Sequence, residues 1–298
     1  MYTNKKSPVP LWIIFTSGII AISFSSILVK LSSAPVSVSG MYRLLFTCLM
    51  MAPIMWKYIP EIKDLSSRDW FMLTGSGIAL GLHFLLWMAS LRFTSVASST
   101  VLLTLEPIFV LAGAYFVYRE KTTLAAVAGI VLAVSGAMLV GWKDMSVSGD
   151  ALKGDLLSLL GTAAVAIHML LGQKLSKHIS SLLYSFVVFF VAACCFAVYN
   201  VFQGYTFTAY PPKEWILFIL LALIPTVFGH ILFNWALKFV NAASVSTAVL
   251  GEPVGASLLA WMMLGESIQP VQIGACLLLL IGVWVFLRNN RVHYATQQ

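Results

Sequence analysis

Two glutamates, each followed directly by a proline, stand inside apolar runs of the sequence. Glu106 and Pro107 occur in LLTLEPIF, and Glu252 and Pro253 occur in AVLGEPVG. An ionised carboxylate at the centre of a membrane span costs about 2.5–3.5 kcal/mol on insertion scales, so such a residue is expected to face the protein interior or a wet cavity. Because proline lacks the N–H that would continue the helix, each pair also predicts a bend beside its acid. Both acids are therefore candidates for binding a proton or a cargo molecule, with the two prolines as hinges.

A purely structural role is the alternative for both pairs. A protonated glutamate can hydrogen-bond a neighbouring helix, and a proline can curve a helix so that its neighbours fit. Matched positions can also reflect a shared folding constraint rather than a shared role. A functional role is therefore a separate hypothesis for each of the two glutamates.

Polar and aromatic residues recur at helical spacing in two other apolar runs. His83 and Trp87 fall on one face of one run, and His230 and Asn234 on one face of another, with Trp235 beside them. Polar side chains inside lipid need partners, and a cavity is the simplest source. An imidazole can relay protons near neutrality, and a tryptophan can stack on an aromatic or cationic cargo. The alternative is that each histidine bonds a backbone carbonyl and the tryptophans pack.

Arg43 and His168 complete the candidate binding residues. Arg43 lies about two turns into the second apolar run, and His168 lies in the middle of the sixth. A guanidinium at that depth could pair with a carboxylate of the protein or with an acidic group of the cargo.

No sequence pattern indicates an enzyme, a metal site or a bound cofactor. The chain lacks G-x-x-x-x-G-K-[ST], H-E-x-x-H and G-x-S-x-G, and its four cysteines form no C-x-x-C spacing. We therefore assign no catalytic residue and no metal ligand, and we expect no cofactor.

The composition is that of an integral membrane protein. Hydrophobic residues make up 60% of the 298 residues, and charged residues make up 10%, against about 25% in soluble domains. The mean hydropathy is +0.92. The net charge of +7 is explained by lysine and arginine at the ends of membrane spans, so nucleic acid is not expected as a partner.

Apolar runs between charged or turn-rich breaks predict ten transmembrane helices and an all-α fold. Each run is about as long as the roughly 20 residues that cross a bilayer. The predicted spans are 10–31, 36–56, 70–91, 95–117, 123–142, 155–175, 180–202, 215–237, 242–263 and 271–287.

The basic residues predict the orientation of these spans. With a cytoplasmic N-terminus, 12 lysines and arginines fall in inside segments and 4 in outside segments. Positive charge is enriched on the cytoplasmic side of membrane proteins. The sequence therefore predicts a multi-pass protein of the cell membrane (inner or plasma membrane) with both termini in the cytoplasm.

The sequence also contains an internal repeat. When LRFTSVASSTVLLTLEP (91–107) is set above LKFVNAASVSTAVLGEP (237–253), both Glu-Pro pairs coincide at an offset of 146 positions. Gly136 meets Gly282 at the same offset. The chain is therefore predicted to be two five-helix repeats, at 10–142 and 155–288. Because five is odd, the repeats must be inverted, which is the architecture of many secondary transporters.

Two longer motifs carry a resemblance to a known family. LEPIFVLAGAYFVYRE (105–120) and GEPVGASLLAWMMLGE (251–266) each place Glu-Pro inside a span and a glutamate where the span closes. With LVKL at 28–31, GQKL at 172–175 and Arg43, they resemble the EamA branch of the drug/metabolite transporter superfamily over nearly the whole chain. The second copy has no arginine matching Arg43, so a role for Arg43 would not be symmetric.

The resemblance implies a transporter of small polar or amphipathic metabolites, often amino acids, and usually export. It also implies that the first four helices of each repeat surround a central cavity, with the fifth and tenth outside. Proton coupling, an uncoupled facilitator and an importer remain open, and an integral membrane enzyme is the least favoured class. The expected partners are a small-molecule substrate and the lipid bilayer; the cargo and a monomeric or homodimeric state are not decided by the sequence.

Overall fold

The computed structural model describes residues 7–94, 96–141, 149–265 and 270–295, and these ranges are built from helices joined by short connections. Residue 266, which ends the second EamA-like motif, and residue 142, which ends the first predicted repeat, lie outside the described residues. The α-helices, in chain order, are α1 Leu11–Leu31, α2 Val36–Met55, α3 Ile59–Lys63, α4 Ser67–Ser90, α5 Val96–Leu103, α6 Glu106–Gly113, α7 Leu124–Gly141, α8 Gly149–Leu175, α9 Ser181–Phe202, α10 Pro212–Leu221, α11 Ile231–Ala236, α12 Ala242–Val249, α13 Glu252–Leu264 and α14 Pro270–Ala295.

These helices make the chain a multi-pass membrane protein. Seven helical segments of the described residues are long and apolar enough to cross a membrane: Leu11–Leu31, Val36–Lys63, Ser67–Ser90, Gly149–Leu175, Ser181–Phe202, Pro212–Ala236 and Ala242–Met263. Three shorter apolar helices are Glu106–Tyr118, Leu124–Gly136 and Ile273–Asn289. The helices occupy the apolar runs of the sequence, because only a helix satisfies every backbone polar group within a single segment in lipid.

Within the residues that the structure describes, two helical segments contain a π-helical stretch. One is Ala114–Tyr118, which continues α6, and the other is Ala222–His230, which joins α10 to α11 and contains Pro225. Proline cannot donate the usual backbone hydrogen bond, so the helix around it rearranges. Such bulges are frequent at functional sites, and the second one ends at a candidate residue, His230.

Side-chain caps lie at the start of several of the helices. Ser66 and Asp69 form a reciprocal capping box at the start of α4, the helix that carries His83 and Trp87. The Ser180 side chain caps α9, and the Asn241 side chain accepts a hydrogen bond from Ser244 N at the start of α12. Caps satisfy N–H groups that the helix itself leaves unpaired.

The main helix pairs that pack on each other have equivalents under the sequence repeat. If each helix is replaced by the helix 146 positions away, the same pairs of helices are in contact. Helix α4 packs on α8, and α1 packs on Ala222–His230 and α11; α6 packs on α8, and α1 packs on α13. Helices α2 and α9 pack on each other, and so do α7 and α14. At the offset of 146 positions, α1 corresponds to α8, and α4 corresponds to the α10–α11 segment. The α4–α8 contact is therefore equivalent to that of α1 with the α10–α11 segment, and the α6–α8 contact to the α1–α13 contact. The α2–α9 and α7–α14 contacts are each equivalent to themselves.

Glycine allows α7 and α14 to approach closely. A Cβ on Gly136 would lie 2.7 Å from the carbonyl oxygen of Ala275, and one on Gly282 would lie 2.6 Å from the carbonyl oxygen of Gly129. Small residues at helix interfaces in membranes permit this kind of backbone contact. The two glycines that coincide in the sequence repeat thus lie in the same interface.

We expect Gly136→Ala to destabilise the protein by about 1–3 kcal/mol, because the added methyl group meets backbone atoms that cannot move aside. Thermal unfolding of the purified protein in detergent measures this. Gly274→Ala is the matched control, since a Cβ on Gly274 of α14 has nothing within 4 Å. Equal unfolding temperatures for the two variants would contradict the close packing of α7 on α14.

Candidate functional site

Both Glu-Pro pairs lie where a helix is interrupted. Helix α5 ends at Leu103 and α6 begins at Glu106, while α12 ends at Val249 and α13 begins at Glu252. The linking residues form tight turns, with Leu105 N donating to Leu102 O and Leu250 N donating to Thr247 O, each at 3.2 Å. Each proline falls in the first turn of the second helix, where its missing N–H leaves no bond unmade. The linking residues Leu105, Leu250 and Gly251 keep right-handed helical backbone angles, so each Glu-Pro pair marks a local change of hydrogen bonding within its segment. The bend expected from the sequence stays a prediction.

Five of the candidate residues line one cavity together. The cavity has a volume of about 40 Å³. Its polar lining consists of Ser25, His83, Trp87, Glu106, His230 and Glu252, and its apolar lining of Ile22, Phe84, Leu103, Val165, Met169, Phe233 and Val249. These residues come from both halves of the chain, and none comes from α7 or α14. The volume has room for about three water molecules.

The two acids are almost fully enclosed. Glu106 is 4% exposed and Glu252 is 7% exposed, and the two carboxyl groups interact electrostatically. The Oε1 atom of Glu106 is buried without a hydrogen-bond partner. A buried polar atom in that state calls for a specific explanation, because such atoms are rare in folded proteins.

Arg43 lies beside the cavity and is held by several contacts. Its side chain is fully buried, with Nε donating to Thr226 Oγ1 at 2.7 Å and Nη1 donating to Ser25 Oγ at 3.0 Å. The guanidinium also lies 4.1 Å from the ring centre of Phe84. Its positive charge interacts with the carboxyl group of Glu252. Its Nη2 atom is buried without a hydrogen-bond partner. Arg43, which belongs to α2, thus contacts α1, α4 and the Ala222–His230 segment.

The cavity histidines make aromatic contacts as well as polar ones. His83 Nδ1 lies 3.0 Å from the Gly161 carbonyl oxygen and donates to it, and the ring stacks parallel to Trp87 with centroids 6.2 Å apart. His230 meets the ring of Phe84 edge-on at 5.0 Å. The indole N–H of Trp87 is buried without a partner. His83 therefore makes the backbone bond expected for a structural histidine and also faces the cavity.

His168, Asn234 and Trp235 lie outside the cavity lining. His168 belongs to a separate buried network in which Ser76 Oγ is 2.9 Å and Tyr184 Oη 3.2 Å from its Nδ1. Asn234 donates to Ser185 Oγ at 3.0 Å and also bonds His168. Trp235, which is partly exposed, packs edge-on against Phe239. Helical spacing grouped Asn234 with His230, but the two side chains face different neighbours.

The family follows from comparison with known proteins. The model of the EamA-like transporter family matches residues 8–142 and 152–288, which is nearly the entire chain. The chain belongs to the EamA-like transporter family.

Two relatives carry transporter names, and one solved structure shares the fold. The EamA-like chain is 26% identical over 259 residues to the uncharacterized transporter YetK of Bacillus subtilis (strain 168), covering 84% of this chain and 78% of the relative. It is 23% identical to the riboflavin transporter ImpX of Fusobacterium nucleatum, covering 76% and 79% of the two chains. A solved crystal structure shares the fold with a TM-score of 0.76 at 13% identity, covering 94% of this chain and 96% of the other.

Polar contacts tie the helices of this EamA-like transporter together at one end. The Glu214 carboxylate, at the start of α10, accepts hydrogen bonds from Ser32 Oγ at 2.5 Å and from Ser33 N at 2.9 Å. Arg92 Nη2 donates to the carbonyl oxygens of Ser32 and Ala34, each at 3.0 Å. The connection between α1 and α2 is therefore held from both halves of the chain.

A second set of contacts ties the opposite end. Gln173 Nε2, near the end of α8, donates to Glu120 Oε1 at 2.7 Å, and the Gln173 side-chain oxygen accepts from Ala242 N at 2.6 Å. Asn241 Nδ2 also lies 3.5 Å from Glu120 Oε2. These residues join the ends of α6, α8 and the start of α12.

Sequence reasoning missed several of the residues that complete these sites. Ser25 and Phe84 line the cavity, and Ser76 and Tyr184 hold His168. A cluster of small polar residues in the first span, SFSS at 23–26, is the signal that could have indicated Ser25. Nothing in the sequence distinguishes Phe84 or Tyr184 from packing aromatics.

We expect Arg43→Lys to lower the stability of the EamA-like transporter by about 1–3 kcal/mol. Lysine keeps the charge but cannot reach Thr226 and Ser25 with a planar fork, so at least one buried hydroxyl contact is lost. Thermal unfolding in detergent measures the change, with the exposed Arg68→Lys as matched control. An unchanged unfolding temperature for Arg43→Lys would show that its bonds contribute little.

Proposed function

We propose that this protein is a secondary transporter that moves a small metabolite across the cell membrane by alternating access around the cavity of Glu106 and Glu252. The observation that carries the proposal is that two interrupted helices, one from each half of the chain, bring an acid each to one buried cavity. Interrupted membrane helices of this kind form the substrate and ion sites of many secondary transporters. Family membership makes the cargo a small molecule.

We further propose that the two halves are inverted five-helix repeats within a ten-span fold. The matched helix contacts support this, because α6 on α8 and α13 on α1 are equivalent under the exchange. Five spans per repeat put the repeats in opposite orientations, with both termini in the cytoplasm as the lysine and arginine distribution favours. Rocking of one repeat against the other would then expose the cavity to each side in turn.

The cargo we propose is an amino-acid-like or amphipathic metabolite, and the proposed direction is export. Phe84, Trp87 and Phe233 give the cavity an aromatic wall, and Glu106 and His230 give it polar groups. Small-molecule sites combine a mainly apolar lining with a few polar groups in this way. The relative named as a riboflavin transporter is consistent with an organic cargo containing a ring.

We propose that protons drive this transport through the cavity acids. A carboxyl group can hold a proton or the positive charge of a cargo but gains nothing by holding both, which couples the two. Glu106 Oε1 has no hydrogen-bond partner. This is consistent with a carboxyl group that binds a proton and a cargo in turn. An uncoupled facilitator would instead move its cargo at a rate that ignores the acids.

We expect Glu106→Gln and Glu252→Gln to abolish cargo export or its dependence on pH. Glutamine keeps the shape of the side chain but cannot exchange a proton, so the coupling step is lost. Mass spectrometry of the growth medium compares cells that overproduce the wild type, each variant or the double variant. Asp64→Asn, which changes an exposed carboxylate outside the cavity, serves as the matched control.

The pattern of metabolites in that medium decides between the alternatives. A metabolite enriched by the wild type and by Asp64→Asn, but not by the double variant, identifies the cargo and supports the coupling. Equal enrichment by the double variant would overturn the role of both acids and favour the uncoupled facilitator. Depletion from the medium rather than enrichment would reverse the proposed direction.

We expect Pro107→Ala and Pro253→Ala to slow transport several-fold while leaving cargo affinity nearly unchanged. Alanine restores the N–H that can bond the carbonyl of Leu103 or Val249, so the interrupted helix can become continuous and lose its hinge. Uptake into vesicles gives the maximal rate and KM separately. Pro53→Ala, in α2 and away from both acids, is the control. A changed KM at a full rate would assign the prolines to binding instead.

A further inference from the structure

The ionisable groups around the cavity do not balance in charge. Glu106 and Glu252 supply two carboxyl groups, and Arg43 supplies one guanidinium. Arginine stays charged in proteins, so it can neutralise one carboxylate. Its charge acts on Glu252. Among the residues described around the cavity, Glu106 is left without a permanent cation.

The other groups near Glu106 are histidines. His83 from α4 and His230 from the end of the π-helical segment line the cavity with it, and His168 lies on α8. His168 is already bonded in its own network with Ser76 and Tyr184. Helix α12, which packs on α6, carries no titratable side chain.

An enclosed carboxylate without a cation is strongly unfavourable, because its lost hydration is not replaced. Glu106 must therefore hold one positive charge whenever the cavity is closed. A bound proton meets this need, and so does the ammonium group of a cargo. The carboxyl oxygen of Glu106 that has no partner is placed to accept a hydrogen bond from that group.

The remaining lining fits an organic cation. Trp87, Phe84 and Phe233 present aromatic surface to the cavity, and aromatic rings attract ammonium groups. The indole N–H of Trp87 is buried without an acceptor. A neutral acceptor on the cargo, such as a hydroxyl or carbonyl group, would satisfy it.

We infer that the cargo is a monocationic amine with an apolar or aromatic body, which exchanges with a single proton at Glu106. The inference rests on the proposed function of the cavity and narrows its cargo class. The amine arrives as an ammonium ion, and the proton of Glu106 leaves to water on the side from which the amine came. After the amine is released on the other side, Glu106 takes up a proton there. One positive charge thus moves each way per cycle, and transport is electroneutral.

A zwitterionic amino acid fits this arrangement less well. Its carboxylate adds a negative charge, so a second positive charge is needed. Arg43 is not part of the cavity lining, and its charge is already matched by that of Glu252, although its Nη2 atom has no hydrogen-bond partner. Discrimination against the carboxylate follows from a charge left uncompensated rather than from size.

Calorimetric binding to the full-length protein in detergent tests the inference with matched pairs of compounds. Phenethylamine, tyramine and tryptamine are compared with phenylalanine, tyrosine and tryptophan, which differ from them only by a carboxylate. Titration in two buffers with different ionisation enthalpies counts the protons released per molecule bound. Titration also avoids the leakage of neutral amines through vesicles.

We expect the amines to bind at least about tenfold more tightly than their amino acids and to release about one proton each. Their affinity should rise with pH, by up to about tenfold per unit, because one proton must leave for each amine that binds. Glu106→Gln should lose both the proton release and most of the affinity. Glu106→Asp, which keeps an acid, should retain the proton release, and Asp64→Asn should behave as wild type.

Three results would overturn the inference: equal or tighter binding of the amino acids, amine binding without proton release, or binding of none of the three amines. If amino acids bind and Glu106→Gln abolishes that binding, the proposed transport site is supported, but the inference that the cargo is a monocationic amine is wrong. Binding and export that both ignore the cavity variants would instead remove the proposed function itself. Unfolding temperatures of each variant separate lost binding from lost folding.

Discussion

The structure depends on how buried charge is compensated in an apolar helical core. Arg43 is fully buried, and Glu106 and Glu252 are nearly so. Hydration lost on burial has to be replaced by bonds or opposite charge, or the group is destabilising. The guanidinium therefore donates hydrogen bonds to two hydroxyl oxygens and packs against an aromatic face. These contacts join α1, α2, α4 and the π-helical segment around one point.

The interrupted helices follow from the same constraint. Backbone that leaves the helix inside a membrane must face protein or a wet cavity, since lipid offers no hydrogen-bond partner. Both interruptions meet this condition, because Glu106 and Glu252 begin their helices at the cavity wall. Each acid also stands in the first turn of its helix, where the helix dipole favours negative charge. In each half of the chain, the proline, the acid and the cavity wall therefore occur together at the start of one helix.

Much of this arrangement could be predicted from the sequence, because apolar length and the depth of an acid are local properties. Seven helical segments of the described residues are long and apolar enough to cross a membrane, and each overlaps a predicted run. Glu106, Glu252, His83, Trp87 and His230 meet in one cavity. The partners of each side chain could not be predicted. Helical spacing places His230 and Asn234 on one face, but His230 meets Phe84 and Asn234 bonds Ser185. His168 pairs with Tyr184 through a contact between different helices.

The size of the cavity bears on how any cargo reaches it. Room for about three waters is too little for a metabolite, so under the alternating access proposed above the contacts at one end separate before a cargo enters. Glu214 with Ser32 and Ser33 joins the two halves of the chain at one end, and Gln173 with Glu120 joins them at the other, where Gln173 also bonds Ala242. Hydrogen bonds that involve a charged group each contribute about 1.5–3 kcal/mol. Under the alternating access proposed above, opening one end would break the contacts of that end while those of the other end remain.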